Sequence, residues 1–303
     1  MEIFLAGGTG FIGQALARHL AAAGHQLTAL VRHPDKARLL PAGTRIVAGT
    51  PLRAGPWVAD LNRADAVVNL TGRSIFARWS EPVKAEIRAS RLQSTRSLVQ
   101  AIDPGRGARM VLVNASAVGY YGVAPAGVCR EDSPPGDDFL ARVCVEWEAA
   151  AREAAAKGVR VLLARFGVVL GRDGGALAAM RPAFRLGLGG RLGSGDQPFA
   201  WIHLSDLTAA IAFMLATPAL AGPVNLVAPQ EVTNRQLTVT LARLLGRPAA
   251  LPVPAAILRL ALGELGGLLL GGGRVRPGAL IEHGFLFRFP ELEGALADLV
   301  AGR

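Results

Sequence analysis

Tyrosine, lysine and cysteine are all scarce in this sequence of 303 residues. The two cysteines, Cys129 and Cys144, make no disulfide framework and no zinc spacing. The five histidines, His19, His25, His33, His203 and His283, show no pairing at ligand intervals, so no metal site is expected. A basic segment followed by a long apolar one is missing from the start. Glu2 comes at once and glycines interrupt by Gly7, which argues against a signal peptide. The most apolar late stretch, residues 251–273, carries Pro252, Pro254, Arg259 and Glu264 and makes a poor membrane span. The expectation is a cytoplasmic protein with no membrane partner. Lysine is confined to Lys36, Lys84 and Lys157, so the net charge of +10 and the pI near 11.0 rest almost wholly on arginine. The arginines are scattered, without a run or interleaved aromatics, and nucleic-acid binding is not expected.

What is present is a hydrophobic fraction of 51% in a chain long enough for one large α/β domain or two modest ones. Near the start an apolar run, residues 3–6, breaks into Gly7, Gly10 and Gly13. A helical segment follows over 14–23, with Leu16 and Leu20 on one face. Residues without a Cβ let the backbone turn sharply. They also let a phosphate approach the N–H groups at the helix start, where the helix dipole is positive.

Further strands are expected over 26–31, 44–48, 65–70, 110–114, 159–166 and 224–227, with a strand-like segment at 199–203. Helices are expected over 82–102 and 138–157, from Ser205 or Asp206 to 216, from Thr233 or Asn234, and over 290–299. Residues 185–195 are too glycine-dense for an element interior and read as a binding loop. Continuous apolar strands separated by helices indicate a parallel sheet covered on both faces. The predicted fold is therefore α/β: a Rossmann-type doubly wound parallel sheet with a smaller C-terminal lobe on the substrate side. The dinucleotide-binding domain is placed at 1–222 and the lobe at 223–303.

Ligands of such sheets sit beyond the carboxyl ends of the strands. About 20 residues past the glycine turn, the end of the second strand faces the adenosine ribose. An acid there binds a 2′-hydroxyl, whereas an arginine accommodates a 2′-phosphate. Arg32 holds that place, which favours NADP over NAD.

The order of these pieces resembles the extended short-chain dehydrogenase/reductase group, the NAD(P)-dependent epimerase/dehydratase superfamily. The residues that carry the resemblance are Gly7-x-x-Gly10-x-x-Gly13, Asn69-Leu70-Thr71-Gly72, the loop from Asn114 through Ser116 to Gly122, and Arg165 to Gly171. More narrowly the chain is similar to a sugar-epimerase-like subgroup with its own C-terminal domain. That likeness continues through Trp147-Glu148, residues 181–195, Trp201-Ile202-His203, Asn225 to Pro229, Gly284-Phe285 and Pro290.

The resemblance implies a cofactor lining of Gly7, Thr9, Gly10, Phe11, Ile12 and Gly13, with Arg32 by the adenosine phosphate. It adds Asn69, Leu70, Thr71 and Gly72, then Arg165, Gly167 and Val168. It also places Ser116 near the nicotinamide and implies a Tyr-x-x-x-Lys pair on the following helix, which is absent. The only tyrosines are Tyr120 and Tyr121, and no lysine lies four positions after either. If Glu148 marks the register, Leu140 and Cys144 occupy the two places; if Arg142 replaces the lysine, its partner is Asp138. A free tyrosine has a pKa of about 10 and needs help to exchange a proton near neutral pH. An arginine gives charge but is a poor relay, because it stays protonated.

The candidate catalytic residues are thus Ser116, Tyr120, Tyr121 and Arg142, with no metal. Cys144 reads as a core residue, and Trp201 and His203 either line the site or pack as a buried pair. One expected function is an NADP-dependent oxidoreductase or epimerase acting on a small polar substrate, with nucleotide sugars the class suggested. The other is an NADP-binding regulator or scaffold that has lost efficient catalysis. A homodimer is left open.

Overall fold

The computed structural model describes residues 1–249 and 251–301. The chain opens with β1 (Glu2–Ala6), α1 (Phe11–Ala22) and β2 (Gln26–Val31). It continues through β3 (Arg45–Ala48), α2 (Trp57–Leu61), β4 (Ala66–Asn69), α3 (Glu81–Ala101) and β5 (Val111–Ala117). A short β6 (Val128–Cys129), α4 (Phe139–Arg152), β7 (Arg160–Phe166), β8 (Val168–Leu170) and α5 (Gly175–Arg185) follow. Then come β9 (Trp201–His203), α6 (Leu204–Ala216), β10 (Gly222–Leu226) and α7 (Asn234–Leu245). The last elements are α8 (Ala255–Leu262), α9 (Glu264–Leu269), β11 (Arg274–Val275), α10 (Gly278–Glu282) and α11 (Leu292–Ala301).

Seven strands form one parallel sheet in the order β10-β7-β5-β4-β1-β2-β3. Alternation along β1 shows why both faces are covered. Ile3 and Leu5 join Leu16 and Leu20 of α1 and Ile211 and Met214 of α6 in one core. Phe4 and Ala6 join Trp57, Leu98 and Ala151 of α2, α3 and α4 in the other. Each large aliphatic removed from water in these layers contributes about 1.5–3 kcal/mol. The strand order reverses between β1 and β4, and that is where a crevice opens beyond the carboxyl ends of a doubly wound sheet.

The fold expected from sequence is the fold found, with local differences. The helix over 138–157 is shorter: Asp138 caps α4, whose last turns tighten into a 3₁₀ segment closed by Gly158 at φ +83°. The α6 cap is His203, whose Nδ1 accepts the Ser205 N–H, because the carboxylate of Asp206 accepts the Arg288 and Phe289 N–H groups instead. Thr233 caps α7 in a reciprocal pair with Gln236, as expected. The 222/223 boundary runs through β10, which is the edge strand of the main sheet.

Beyond the sheet, Leu177 and Phe184 of α5, Leu237 and Leu241 of α7, and Leu296 and Leu299 of α11 pack with Trp201 into a smaller core. Pairing of β6 with β11 ties this C-terminal part to the segment after β5. Among the described residues no helix is long and apolar enough to cross a membrane.

Candidate functional site

The turn between β1 and α1 has no room for side chains. A Cβ on Gly13 would lie 2.2 Å from the Gly7 carbonyl oxygen, and one on Gly7 would lie 2.9 Å from the carbonyl group of Leu70. Gly7 also sits at φ +86°, where a glycine is favoured. The helix therefore starts hard against the ends of β1 and β4. Its N-cap, Gly10, offers no capping side chain, and the first turn contains no acid. An α-helix leaves its first N–H groups without intrahelical partners, and here no side chain among the described residues caps them. Gly10 is exposed, so this positive pole is open to an anion. Arg32 follows β2 directly beside the turn, exposed, and makes no hydrogen bond or ion pair among the described residues. Thr9, Phe11, Ile12, Leu70 and Thr71 are half-buried around the same turn, and Gly72 is exposed. The ring of Phe11 lies against Gly171 and Gly174 of the loop after β8 and Gly175 at the start of α5, while Gly167 is packed between Val227 and Ala200 next to the half-buried Val168.

Under this crevice lies a buried ionic network. Glu148 on α4 is fully buried and receives the Arg165 guanidinium in a two-pronged pair, Nε to Oε1 at 2.8 Å and Nη2 to Oε2 at 2.9 Å. Ser116 donates its hydroxyl to Oε1 at 2.8 Å, and Arg152 reaches Oε2 at 3.1 Å. The remaining Arg165 nitrogen, Nη1, donates to the Tyr121 hydroxyl at 2.8 Å and to the Glu131 carbonyl at 3.0 Å. The Tyr121 hydroxyl lies 2.7 Å from Asn225 Oδ1 and 2.8 Å from the Arg130 carbonyl, so its single proton is taken in either case. Burial works against the charge on Arg165, but the bonds to Glu148 and its charge outweigh it and raise its pKa. Burial pushes the Tyr121 hydroxyl up to about 12, so it stays protonated.

Tyr120 differs from its neighbour. Its ring is half-buried and stacks on the Arg165 guanidinium, 3.6 Å from the ring centroid. Its hydroxyl has no hydrogen-bond partner among the described residues. The two tyrosines, equivalent in the sequence, are thus separated: one hydroxyl is committed to the protein and the other is available.

The structure brings Ser116, Tyr120, Tyr121 and Arg165 together through Glu148, a residue that the candidate set omits. Arg165 does not line the crevice: it is 1% exposed, and its donors are taken by Glu148, Tyr121 and Glu131. Arg142 does not join the group either, because its exposed side chain turns back to the Asp137 carbonyl. Leu140 packs against Gly119, and the Cys144 thiol is buried beside Ala117, pushed up to about 12 by burial and then by the charge of Glu148. These two side chains fill the places where the tyrosine and lysine would be in the Glu148 register. Asn69 is also buried, linked to Thr95 and Asn114 and accepting from Thr71. It shapes the end of β4 through those bonds. The signal for Glu148 was a charge spaced four and eight residues after Cys144 and Leu140 on the buried face of α4.

Trp201 and His203 pack as structural residues. Trp201 belongs to the C-terminal core, and His203 stacks on Phe289 at 4.0 Å, its Nε2 3.4 Å from Asp298 Oδ2 without hydrogen-bond geometry. Burial lowers the His203 pKa from its ordinary 6.5. Its contribution to stability is then complete above the unfolded value and declines as pH falls below it toward the folded one. Urea midpoints followed downward from neutral pH should show this decline, and His203→Gln should remove its share.

The geometry thus joins an uncapped, acid-free helix start at the switch point of a parallel sheet to a serine near the end of β5 and two tyrosines in the turn after it. A family model described as NAD dependent epimerase/dehydratase family matches residues 3–227. The chain belongs to that family. A second model, a domain of unknown function designated DUF1731, matches residues 253–299 in the C-terminal part of this epimerase-family chain. The "Epimerase family protein SDR39U1 homolog, chloroplastic" of Arabidopsis thaliana is 42% identical over 302 residues, 99% of this chain and 87% of that protein. The crystal structure of human epimerase family protein SDR39U1 (isoform 2) with NADPH is 35% identical, with a TM-score of 0.86 and complete coverage of both chains. A nucleoside-diphosphate sugar epimerase from Corynebacterium glutamicum is 30% identical with a TM-score of 0.79, over 99% of this chain and 58% of that one.

Proposed function

We propose that this epimerase-family protein binds NADPH at the glycine turn and exchanges hydride with a small polar substrate held over the carboxyl ends of β4, β5 and β7. The observation that carries the cofactor assignment is the acid-free, uncapped start of α1 pressed against Gly7, with the exposed Arg32 alongside. Phosphates satisfy helix N-terminal N–H groups, and an arginine at the end of β2 pairs with a 2′-phosphate. The human relative crystallised with NADPH supports the same choice. Bound NADPH supplies a hydride, or NADP takes one back. Tyr120 hydrogen-bonds the reacting oxygen and exchanges its proton, because its hydroxyl is free while that of Tyr121 is held by Asn225 and Arg165. Ser116 orients the substrate when its hydroxyl turns from Glu148. The likeness to a nucleoside-diphosphate sugar epimerase makes nucleotide sugars the first class to try.

One observation favours a second reading, an NADPH-binding regulator. The Ser116 hydroxyl is bound to a buried carboxylate, and in neither register of α4, Leu140 with Cys144 or Asp138 with Arg142, does a tyrosine occupy the place of a proton-transferring pair. Hydride transfer from NADPH to nucleotide sugars and simple carbonyl compounds separates the readings. Turnover that Tyr120→Phe lowers about 10²-fold or more, with NADPH affinity unchanged, supports catalysis. Tyr121→Phe should act mainly on stability, by about 1–3 kcal/mol, through the orphaned Asn225 and Arg165. Tight NADPH binding without turnover on any compound supports the regulator.

A further inference from the structure

The positive charge that looks scattered in sequence is left unbalanced by acids in two segments of the later part of the chain. Residues 174–195 and 232–263 contain no aspartate or glutamate. The fold lays these two acid-free segments side by side: Leu192 bridges Val253, the Val253 N–H donates to the Arg191 carbonyl at 2.8 Å, and Gly190 lies against the Leu251 carbonyl. Along this seam the chain exposes large aliphatic side chains. Leu186 is 74% exposed and Leu260 80%, with Leu188, Leu251 and Ile257 also exposed. In α8 only Leu258 is buried, so an apolar helix shows most of its surface to solvent. Arg185, Arg247 and Arg259 stand among these side chains, exposed and without an ion pair among the described residues. By contrast, Arg235 and Arg243, at the margin, are paired with Asp196 and Glu293.

Projecting aliphatics among unpaired arginines, with no acid, are the composition of a surface that seats in the headgroup region of an anionic bilayer. We propose that this face is a docking surface for an anionic lipid membrane. The aliphatic tips enter the acyl boundary and the arginines meet lipid phosphates. That no helix among the described residues is long and apolar enough to cross a membrane does not bear on such attachment, which needs only a face. A second copy of the chain is a poor occupant, because two copies of this patch would set arginine against arginine with no acid between them.

The test is flotation of the full chain with vesicles of phosphatidylcholine alone and of an equal phosphatidylcholine–phosphatidylglycerol mixture, at low and high salt. The wild type should float with the anionic vesicles only, and less at high salt. A Leu186→Ser/Leu260→Ser variant should bind about tenfold more weakly. Arg185→Gln/Arg247→Gln should lose about fivefold per arginine. Arg18→Gln/Arg109→Gln, equal in charge change but on other faces, should stay within about twofold. The thermal midpoint of each variant checks folding. Equal losses for both arginine pairs would show only the field of a basic chain and overturn the proposal. So would unchanged binding by the leucine variant, or no flotation with either vesicle. Sedimentation as a dimer that the leucine changes convert to monomer would reassign the patch to self-association.

Discussion

Gly13→Ala should reduce NADPH affinity at least about 100-fold, a change of about 2.7 kcal/mol. The added methyl would lie 2.2 Å from the Gly7 oxygen and 2.7 Å from the Gly8 Cα, and both neighbours are backbone that cannot rotate away. Relief requires α1 to move off the turn. Gly7 is itself fixed by the close approach of Leu70, so the two ends of the turn cannot follow together. The N–H groups then no longer converge on one phosphate. The crowding should also lower stability by about 1–3 kcal/mol. Fluorescence titration with NADPH and urea unfolding of the same variant read the two effects separately, and affinity close to wild type would remove the turn from the cofactor site.

The second large effect is expected at Glu148. Glu148→Ala removes the only carboxylate paired with Arg165 among the described residues, leaving a guanidinium that is 1% exposed. Breaking a buried pair from one side destabilises by about 3–5 kcal/mol, mostly through the stranded charge. The loss should therefore be largely recovered when both members go. A Glu148→Leu/Arg165→Met double variant should be much less destabilised than the sum of the single changes, giving a coupling of several kcal/mol in urea unfolding. Additive losses would mean that the two side chains contribute independently.

The fold was legible because its signals are local. The runs at β1, β4 and β5 are continuous and apolar, as strands buried on both faces must be, and the glycines sit where only glycine fits. The site was legible in part. Ser116, near the end of β5, and Tyr120 and Tyr121, in the turn after it, come together around Arg165 and Glu148. What the sequence could not disclose was the state of their hydroxyls. Tyr120 and Tyr121 are adjacent, yet only Tyr121 meets Asn225, 104 residues away, and Arg165, 44 residues away. The family resemblance implies Arg165 as a cofactor residue, but a buried partner on α4 claims it. That pairing depends on the packing of α4 against the sheet, which no spacing along the chain encodes. The arginine face of the C-terminal part was hidden for the same reason: its two segments are far apart in sequence and meet only in the folded chain, along the Arg191–Val253 ladder and where α5 packs on α7.

The central claim, that the glycine turn and Arg32 hold NADPH, is tested most directly by titrating NADPH and NADH into the wild type and Arg32→Ala by fluorescence. NADPH should bind the wild type at least about tenfold more tightly than NADH, and Arg32→Ala should erase most of that difference while leaving NADH affinity unchanged. Equal affinity for the two cofactors, or a preference that survives Arg32→Ala, would contradict it.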